Sequence, residues 1–387
     1  MTQIRIQYNL VCMYAPFPLV RVEGSPRDRG LAYGRAAAER IAAGEELYRE
    51  AMGRRGFDWS QVQRMAADFR PTIEATDADC MAEIDAIAEG AGIDVETVIV
   101  VNARSEIFNG RTPEAGALEG GCTSGLALSH ATTDSRLLHA QNWDFNAACI
   151  GSSVVLHLTD EEGHSILTFV EAGGLARSGL NTAGIAITAN NLESELDVGR
   201  TGMPLSMIRR RALMARTFAD AIGAITSAPR AVSNNMTLSH AGGDIAINFE
   251  TTPDDVFVLY PQANGLFAHA NHFNAPEARV RVRDGALNGR TPCTLYRDKR
   301  VMHHLAADAP NVTRATFERA LSDDFGHPFA VCRPPVRSRS GHLSTTVASV
   351  IFDAGAGALY VRPAPWDAQT QWATHTLDAC ATQVAAQ

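Results

Sequence analysis

From Ser25 to about residue 109, apolar side chains recur every three or four positions among charged and small ones, the period of helices with one buried face. Ser25-Pro26 predicts a capped start, because Ser suits the N-cap and Pro the first helical position. A helix is expected from about Arg27 to Met52, with others over Ser60–Phe69, Arg70–Ala91 and Asp94–Asn109. The period stops at GRTPEAGALEGGC, where glycines cluster and a loop is predicted. After Cys122 the runs shorten. TSGLALS, RLLHAQNW, SVVLHLT, SILTFVEAG and AGIAITAN are β-type segments divided by Gly, Asp, Ser and Thr. A helical stretch at Pro204–Thr226 follows, then strands at MTLSHA, DIAINFET, DVFVLYP and GLFAHAN. Helices are expected over Pro292–Ala307 and Arg314–Leu321, and TTVASVIFD and ALYVRP close the pattern as strands. Helices followed by many antiparallel strands indicate α+β layering rather than a βαβ series.

Composition changes this picture only at its edges. The 387 residues are 45% hydrophobic and 20% charged, which suits a soluble chain with a substantial core. A formal charge of -9 argues against a nucleic-acid partner. No segment reaches the ~20 apolar residues of a membrane span, and the N-terminus lacks a signal-peptide layout. No membrane partner and a cytoplasmic location are expected. Cys12, Cys80, Cys122, Cys149, Cys293, Cys332 and Cys380 are odd in number and form no CxxC pair. Neither a disulfide framework nor a zinc ribbon follows, and most should be small buried apolar residues. His269 and His272 form an HxxH, but on a strand such residues face opposite ways, so no metal is expected. No cofactor is called for.

One segment carries chemistry: GALEGGCTSGLALSHATTDSRLLHAQNWDFN. Gly120 and Gly121 lack a Cβ, which leaves the Gly121 carbonyl open to attack by the next residue. Cys122 could take up that acyl group on sulfur, and water would then release residues 1–121 from residues 122–387. The new α-amine has an ordinary pKa of about 8 and a thiol about 8.5, so amine and thiol are matched as base and nucleophile. No histidine is required.

These residues resemble the acyl-coenzyme A:6-aminopenicillanic acid acyltransferase (isopenicillin-N acyltransferase) family of N-terminal-nucleophile hydrolases. The family's Gly-Cys-Thr start is matched by Gly121, Cys122 and Thr123, and its Gln-Asn-Trp-Asp-Phe run by Gln141 to Phe145. EAGGLARSGLNTAG (Glu171–Gly184), His269-Ala270-Asn271-His272 and Cys332-Arg333 follow in order. The resemblance implies a four-layer αββα fold, two stacked antiparallel sheets between helical layers. It implies that residues 1–121 become an α subunit with a helical cap and one or more strands. That subunit would stay bound to a catalytic β subunit, 122–387, as a heterodimer, with a higher homo-oligomer also open. Cys122 would be the nucleophile, Asp144 the carboxylate beside its amine, and Asn271 an amide donor to the oxyanion. Thr123, Phe145, Arg177, Asn190 and Asn235 are candidate substrate-binding residues, Arg177 as a partner for a substrate carboxylate. The sequence departs from the family where a Ser-Arg pair is expected before the penultimate strand. Leu343 occupies the arginine position here, next to Ser344, with Arg337 and Arg339 nearby.

Three enzymatic functions fit this reading; a non-enzymatic binding protein with Cys122 inert is a further alternative, against which Asp144 and Asn271 argue, since a pure binder needs neither. The favoured one is hydrolysis of a small amide of N-acyl, aminoacyl or β-alanyl type through an acyl-Cys122 thioester. The second passes the same acyl group to an amine, fed by a thioester such as acyl-CoA. The third is an uncleaved thiol peptidase that pairs Cys122 with His240, His269 or His272.

Overall fold

The computed structural model describes residues 16–111, 121–287, 291–338 and 341–377. The N-terminal segment begins with strand β1 (Leu19–Glu23) and a long helix α1 (Pro26–Gly53), capped as predicted: the Ser25 side chain accepts from Asp28 N–H. Helices α2 (Trp59–Ala67), α3 (Arg70–Thr76), α4 (Ala78–Ala91) and α5 (Val95–Asn102) follow. The single helix expected over Arg70–Ala91 is two, because Asp77 turns extended and its side chain accepts from Cys80 N–H to start α4. The helix expected to run to Asn109 ends at Asn102 and gives way to a wider, π-type turn at Glu106–Arg111. Helices α1 and α4 pack backbone to backbone. A Cβ on Gly34 would lie 2.3 Å from the Ile87 carbonyl oxygen, and one on Gly90 2.5 Å from that of Leu31.

The rest of the chain builds two sheets. Strands β2 (Gly121–Ala127) and β3 (Leu138–Asn146) open one of them. Strands β4 (Ser153–Thr159), β5 (Ser165–Glu171), β6 (Ser178–Asn181) and β7 (Ile185–Asn191) belong to the other. Helices α6 (Leu205–Met214) and α7 (Phe218–Thr226) follow. They are two where one was expected, since the Thr217 side chain caps a fresh start at Asp220 N–H. Next come β8 (Asn234–His240), β9 (Ile245–Thr251), β10 (Val256–Leu259) and β11 (Leu266–His269). Three helices, α8 (Pro276–Arg281), α9 (Thr294–Asp308) and α10 (Arg314–Leu321), precede β12 (Val336–Arg337), β13 (Leu343–Asp353), β14 (Ala358–Pro363) and β15 (Ala373–Thr376).

The larger sheet has the order β1-β4-β5-β6-β7-β8-β9-β10; the other runs β11-β2-β3-β13-β14-β15, with β12 on β13. Every pair is antiparallel except β1–β4, which is parallel and corrects the wholly antiparallel expectation. The sheets face each other through β2 and β3 against β7, and β14 against β5 and β6. Helices α1 and α6 cover the larger sheet, while α9 and α10 cover the smaller, which makes the four layers α, β, β, α. Gly125 lets α9 sit close, because a Cβ there would meet Val301 at 2.7 Å. The seam between the sheets is polar at its centre. His139 bridges Thr188 and Ser239 across it, and burial lowers its pKa to about 3, so it is a neutral hydrogen-bonding group. Cys80, Cys122, Cys149, Cys293 and Cys332 are free and buried; Cys12 and Cys380 lie outside the described residues.

Candidate active site

Cys122 is the second residue of β2 and is 4% exposed. The β2–β3 ladder sets it opposite Trp143 and sets Gly121 opposite Asp144. Its backbone N–H donates to Asn271 Oδ1 at 2.9 Å, its carbonyl accepts from Arg297 Nη1 at 2.7 Å, and Arg177 Nη2 donates to Sγ at 3.3 Å. The buried Arg297 guanidinium organises this face: it also donates to Asn271 Oδ1 and to Thr123 Oγ1, both at 2.7 Å. On the other side, Asp144 Oδ1 accepts from the Thr346 hydroxyl at 2.6 Å, and Arg333 Nη2 stands 3.6 Å from Oδ2. Asp144 Oδ2 is buried with no hydrogen-bond donor. A Cβ on Gly121 would lie 3.0 Å from that oxygen, so the residue before the nucleophile rests directly on an acceptor with spare capacity.

Arg177 reaches the sulfur from the turn after β5. Its guanidinium lies over the Trp143 ring at 4.1 Å. Burial pulls its pKa down to about 10, partly offset by the nearby thiol, so it remains a cation at neutral pH. The turn is fastened mostly by residues of the N-terminal helical segment. Gly173 N–H donates to the Tyr33 hydroxyl at 3.1 Å, Asn102 bonds both Gly173 and Leu175 at 2.9 Å, and Arg210 Nη1 donates to the Leu175 carbonyl at 3.0 Å. Glu171, at the head of the same turn, pairs with Arg104 at 2.6 Å and accepts from Tyr48 at 2.5 Å. Arg104 in turn covers Trp143 and Phe145, whose rings stack 5.5 Å apart. The space beside the sulfur is about 50 Å3, bordered by Arg104, Trp143, Phe145, Arg177, Asn191 and Arg209, among others. A roomier cavity of about 520 Å3 lies away from the chemistry, among Asp77, Cys80, Glu83 and Arg210. Burial pushes the Cys80 thiol far up, which leaves that cavity without a ready nucleophile.

Cys122, Gly121, Asp144, Asn271, Phe145 and Arg177 therefore converge, and three expected substrate contacts do not. Thr123 points to Arg297 on the helical side of its sheet. Asn190 spans the two sheets, donating to Ser124 Oγ and the His269 carbonyl and accepting from Gln141. Asn235 donates to Asn248. The amides that do line the cavity are Asn109 and the neighbouring pair Asn191 and Asn234, the last two set opposite each other on β7 and β8. Arg177 touches the thiol rather than standing free for substrate alone. Asn271 turns its carbonyl oxygen to Cys122 and one Nδ2 hydrogen to the Asn191 carbonyl at 2.9 Å. The histidines of the peptidase alternative are engaged elsewhere: His269 on Glu250, His272 on Thr294, His240 on Gly243 N–H. Of the residues around the departure from the Ser-Arg pair, Ser344 accepts from Arg333, Arg337 is bonded to Gly341 at the surface, and Arg339 lies outside the described residues. Among the described residues no group of acidic, histidine or cysteine side chains is placed to hold a metal.

Arg297, Thr346, Arg104 and Arg209 were not legible in advance. Arg297 sits in YRDKR, which reads as a solvated helix face. The one available signal was periodicity, since Thr294, Arg297, Val301 and Leu305 share a face.

Fold and site together define an acyl-transfer enzyme acting on amide bonds. A profile of the family described as acyl-coenzyme A:6-aminopenicillanic acid acyl-transferase matches residues 131–362. The chain belongs to that family. The matched span contains Asp144, Arg177 and Asn271 and begins after Cys122. The chain is also similar to the acyl-coenzyme A:6-aminopenicillanic-acid-acyltransferase 40 kDa form of Emericella nidulans, 24% identical over 338 residues, 86% of this chain and 89% of that one. Among solved structures, a mutant of conjugated bile acid hydrolase from Clostridium perfringens gives a TM-score of 0.43 at 14% identity, covering 66% of this chain and 97% of that chain. Penicillin V acylase from Agrobacterium tumefaciens gives 0.42 at 13%, covering 62% and 83%. Scores this low add nothing to the fold, which is read from the strands themselves.

Proposed function

We propose that the chain cleaves itself between Gly121 and Cys122 and then hydrolyses small amides through an acyl-Cys122 thioester. The observation that carries this is the setting of Cys122: a guanidinium on its sulfur, a side-chain carbonyl on its N–H, and a donor-less carboxylate oxygen beside Gly121. In the first step Sγ adds to the Gly121 carbonyl carbon. The C–N bond breaks, and the Cys122 nitrogen takes the proton that the thiol gave up. Water then adds to the thioester, the C–S bond breaks, and Gly121 leaves as a carboxylate. The new amine brings the donors that Asp144 Oδ2 and Asn271 Oδ1 can accept.

In turnover the amine takes the thiol proton, sulfur adds to the substrate carbonyl carbon, and the C–N bond breaks as the proton goes to the departing amine; water then adds to the acyl thioester, the C–S bond breaks, and the thiol is restored. The oxyanion has a donor in the second Nδ2 hydrogen of Asn271, since only one is used by Asn191. Fragments 1–121 and 122–387 remain together as a heterodimer, because the first holds the turn that carries Arg177. The 24%-identical relative is named an acyltransferase, which favours a second reading in which an amine replaces water at the thioester.

Intact-mass measurement of the purified protein beside Cys122→Ala tests the central step. Two fragments, the second starting at Cys122, are expected from the native chain and none from the variant. A native chain that stays whole while turning over substrate overturns the proposal. Offering the same sample an amide in water, and separately a thioester with an amine, distinguishes hydrolase from transferase.

A further inference from the structure

Arg209, on α6, is a second cation at the sulfur's cavity, with no hydrogen-bond or ion-pair partner there among the described residues. It is 6% exposed, its Nε has no hydrogen bond, and no carboxylate lies within ion-pair distance of it among the described residues. A buried guanidinium is a costly group to leave unanswered. Its neighbours make the cost larger. Burial first, then repulsion from Arg177 and Arg104, bring its pKa down to about 9, so it stays charged at neutral pH. The groups that oppose this are Glu106 first and then Cys122; burial lifts the Glu106 pKa to about 7, so near neutrality it supplies only part of a negative charge. Arg104, by contrast, is satisfied by Glu171. Arg177 and Arg209 border the same two adjoining spaces, one of which contains Sγ. The wall facing the nucleophile is thus cationic and short of one anion.

We propose that Arg209, together with Arg177, binds a carboxylate of the substrate, so that the preferred amides carry a carboxylate close to the scissile bond. This rests on Cys122 as the nucleophile. Arg177 donates directly to the sulfur as well as facing the anion, whereas Arg209 makes no hydrogen bond to the sulfur and acts on it only through its charge. A guanidinium suits the task, because its planar fork meets a carboxylate through two parallel N–H bonds and is less strongly hydrated than an ammonium.

Iodoacetate and iodoacetamide test this, since they differ only in carboxylate against amide and both alkylate a thiol. On the cleaved protein we expect iodoacetate to label Cys122 faster than iodoacetamide and with saturation. Acetate should protect Cys122 from iodoacetamide. In Arg209→Gln the iodoacetate-to-iodoacetamide rate ratio should fall about tenfold or more, the size of a single ~1.4 kcal/mol interaction. Arg209→Lys should keep most of the ratio, and because loss of the Arg209 charge also acts on the sulfur, the ratio rather than either rate alone is the readout. A wild-type ratio below one with no protection by acetate overturns the proposal without any variant, as does a ratio unchanged in a folded Arg209→Gln. The mass of the same sample separates this from the parent reading: cleaved, labelled protein without anion preference sinks the carboxylate site alone, while an uncut chain sinks the self-cleavage.

Discussion

Glu83→Gln should destabilise the whole molecule and, with it, slow the reaction. Glu83 is 2% exposed on α4 and faces two buried cations: both carboxylate oxygens accept from Arg210 Nη2 at 2.7 Å, and Oε2 accepts from Arg29 Nη2 at 2.9 Å. The amide keeps the shape, removes the charge, and leaves two desolvated guanidinium groups unpaired. Breaking a buried pair in this way costs about 3–5 kcal/mol. At about 2 °C per kcal/mol for a large domain, the melting temperature should drop by roughly 6–10 °C. Asp254→Asn is the control. Its pair with Arg200 is equally short, at 2.7 Å, but 44% and 50% exposed, so its loss should be worth less than ~1 kcal/mol. The same Arg210 holds the Leu175 carbonyl, two residues before Arg177. Turnover by Glu83→Gln should therefore fall even well below its melting temperature. Calorimetry on both variants, with rates at 25 °C, checks this. A Glu83→Gln protein that melts within about 2 °C of wild type, or no lower than Asp254→Asn, would refute the reasoning.

Two further outcomes follow from burial elsewhere. The folded pKa of Glu106, about 7, lies above its ordinary 4.5 because burial disfavours the charged form. The folded state thus holds the proton more tightly, and stability from this group is full below about pH 4.5 and lost as pH rises to about 7, by about 3 kcal/mol. Glu106→Gln should remove that slope, so denaturant titrations from pH 5 to pH 8 should converge at the acid end and favour the variant at the alkaline end; parallel curves would contradict the assignment. Gly34→Ala forces a methyl to within 2.3 Å of the Ile87 carbonyl oxygen and must push α1 from α4, at a cost of about 1–3 kcal/mol in urea unfolding. Gly53→Ala, with open space at its Cβ, should lose none of this.

Much of the scaffold was legible in the sequence because helix and strand periods differ, and Arg314–Leu321 is a helix over the predicted residues. Boundaries slipped where a side chain outcompeted the period, as Asp77 and Thr217 do by capping new helices. β1 was not placed, since LVRVE is short and its partner β4 lies more than a hundred residues away. At the site, Cys122, Asp144 and Asn271 could be found because ordered motifs surround them. Asn190 and Asn235 missed the cavity by one residue, because a strand alternates faces and no motif says which face is inward. The arginines were least legible. Arg104, Arg209 and Arg297 are chemically alike in sequence to the solvated arginines around them, and only tertiary packing takes their charge out of water.

The parallel seam between β1 and β4 bears on how such a chain can be made. In the uncut chain, β1 is tethered to the sheet it completes, so its local concentration is set by the length of chain between them rather than by how much protein is present. A chain cut at Gly121 loses that tether for good. Fragments expressed from separate genes would have to find each other in solution, with the β4 edge meanwhile open to pairing with any other strand. The scission proposed above would therefore be tolerable only after assembly, and a refolded pair of fragments should recover far less than a refolded uncut chain.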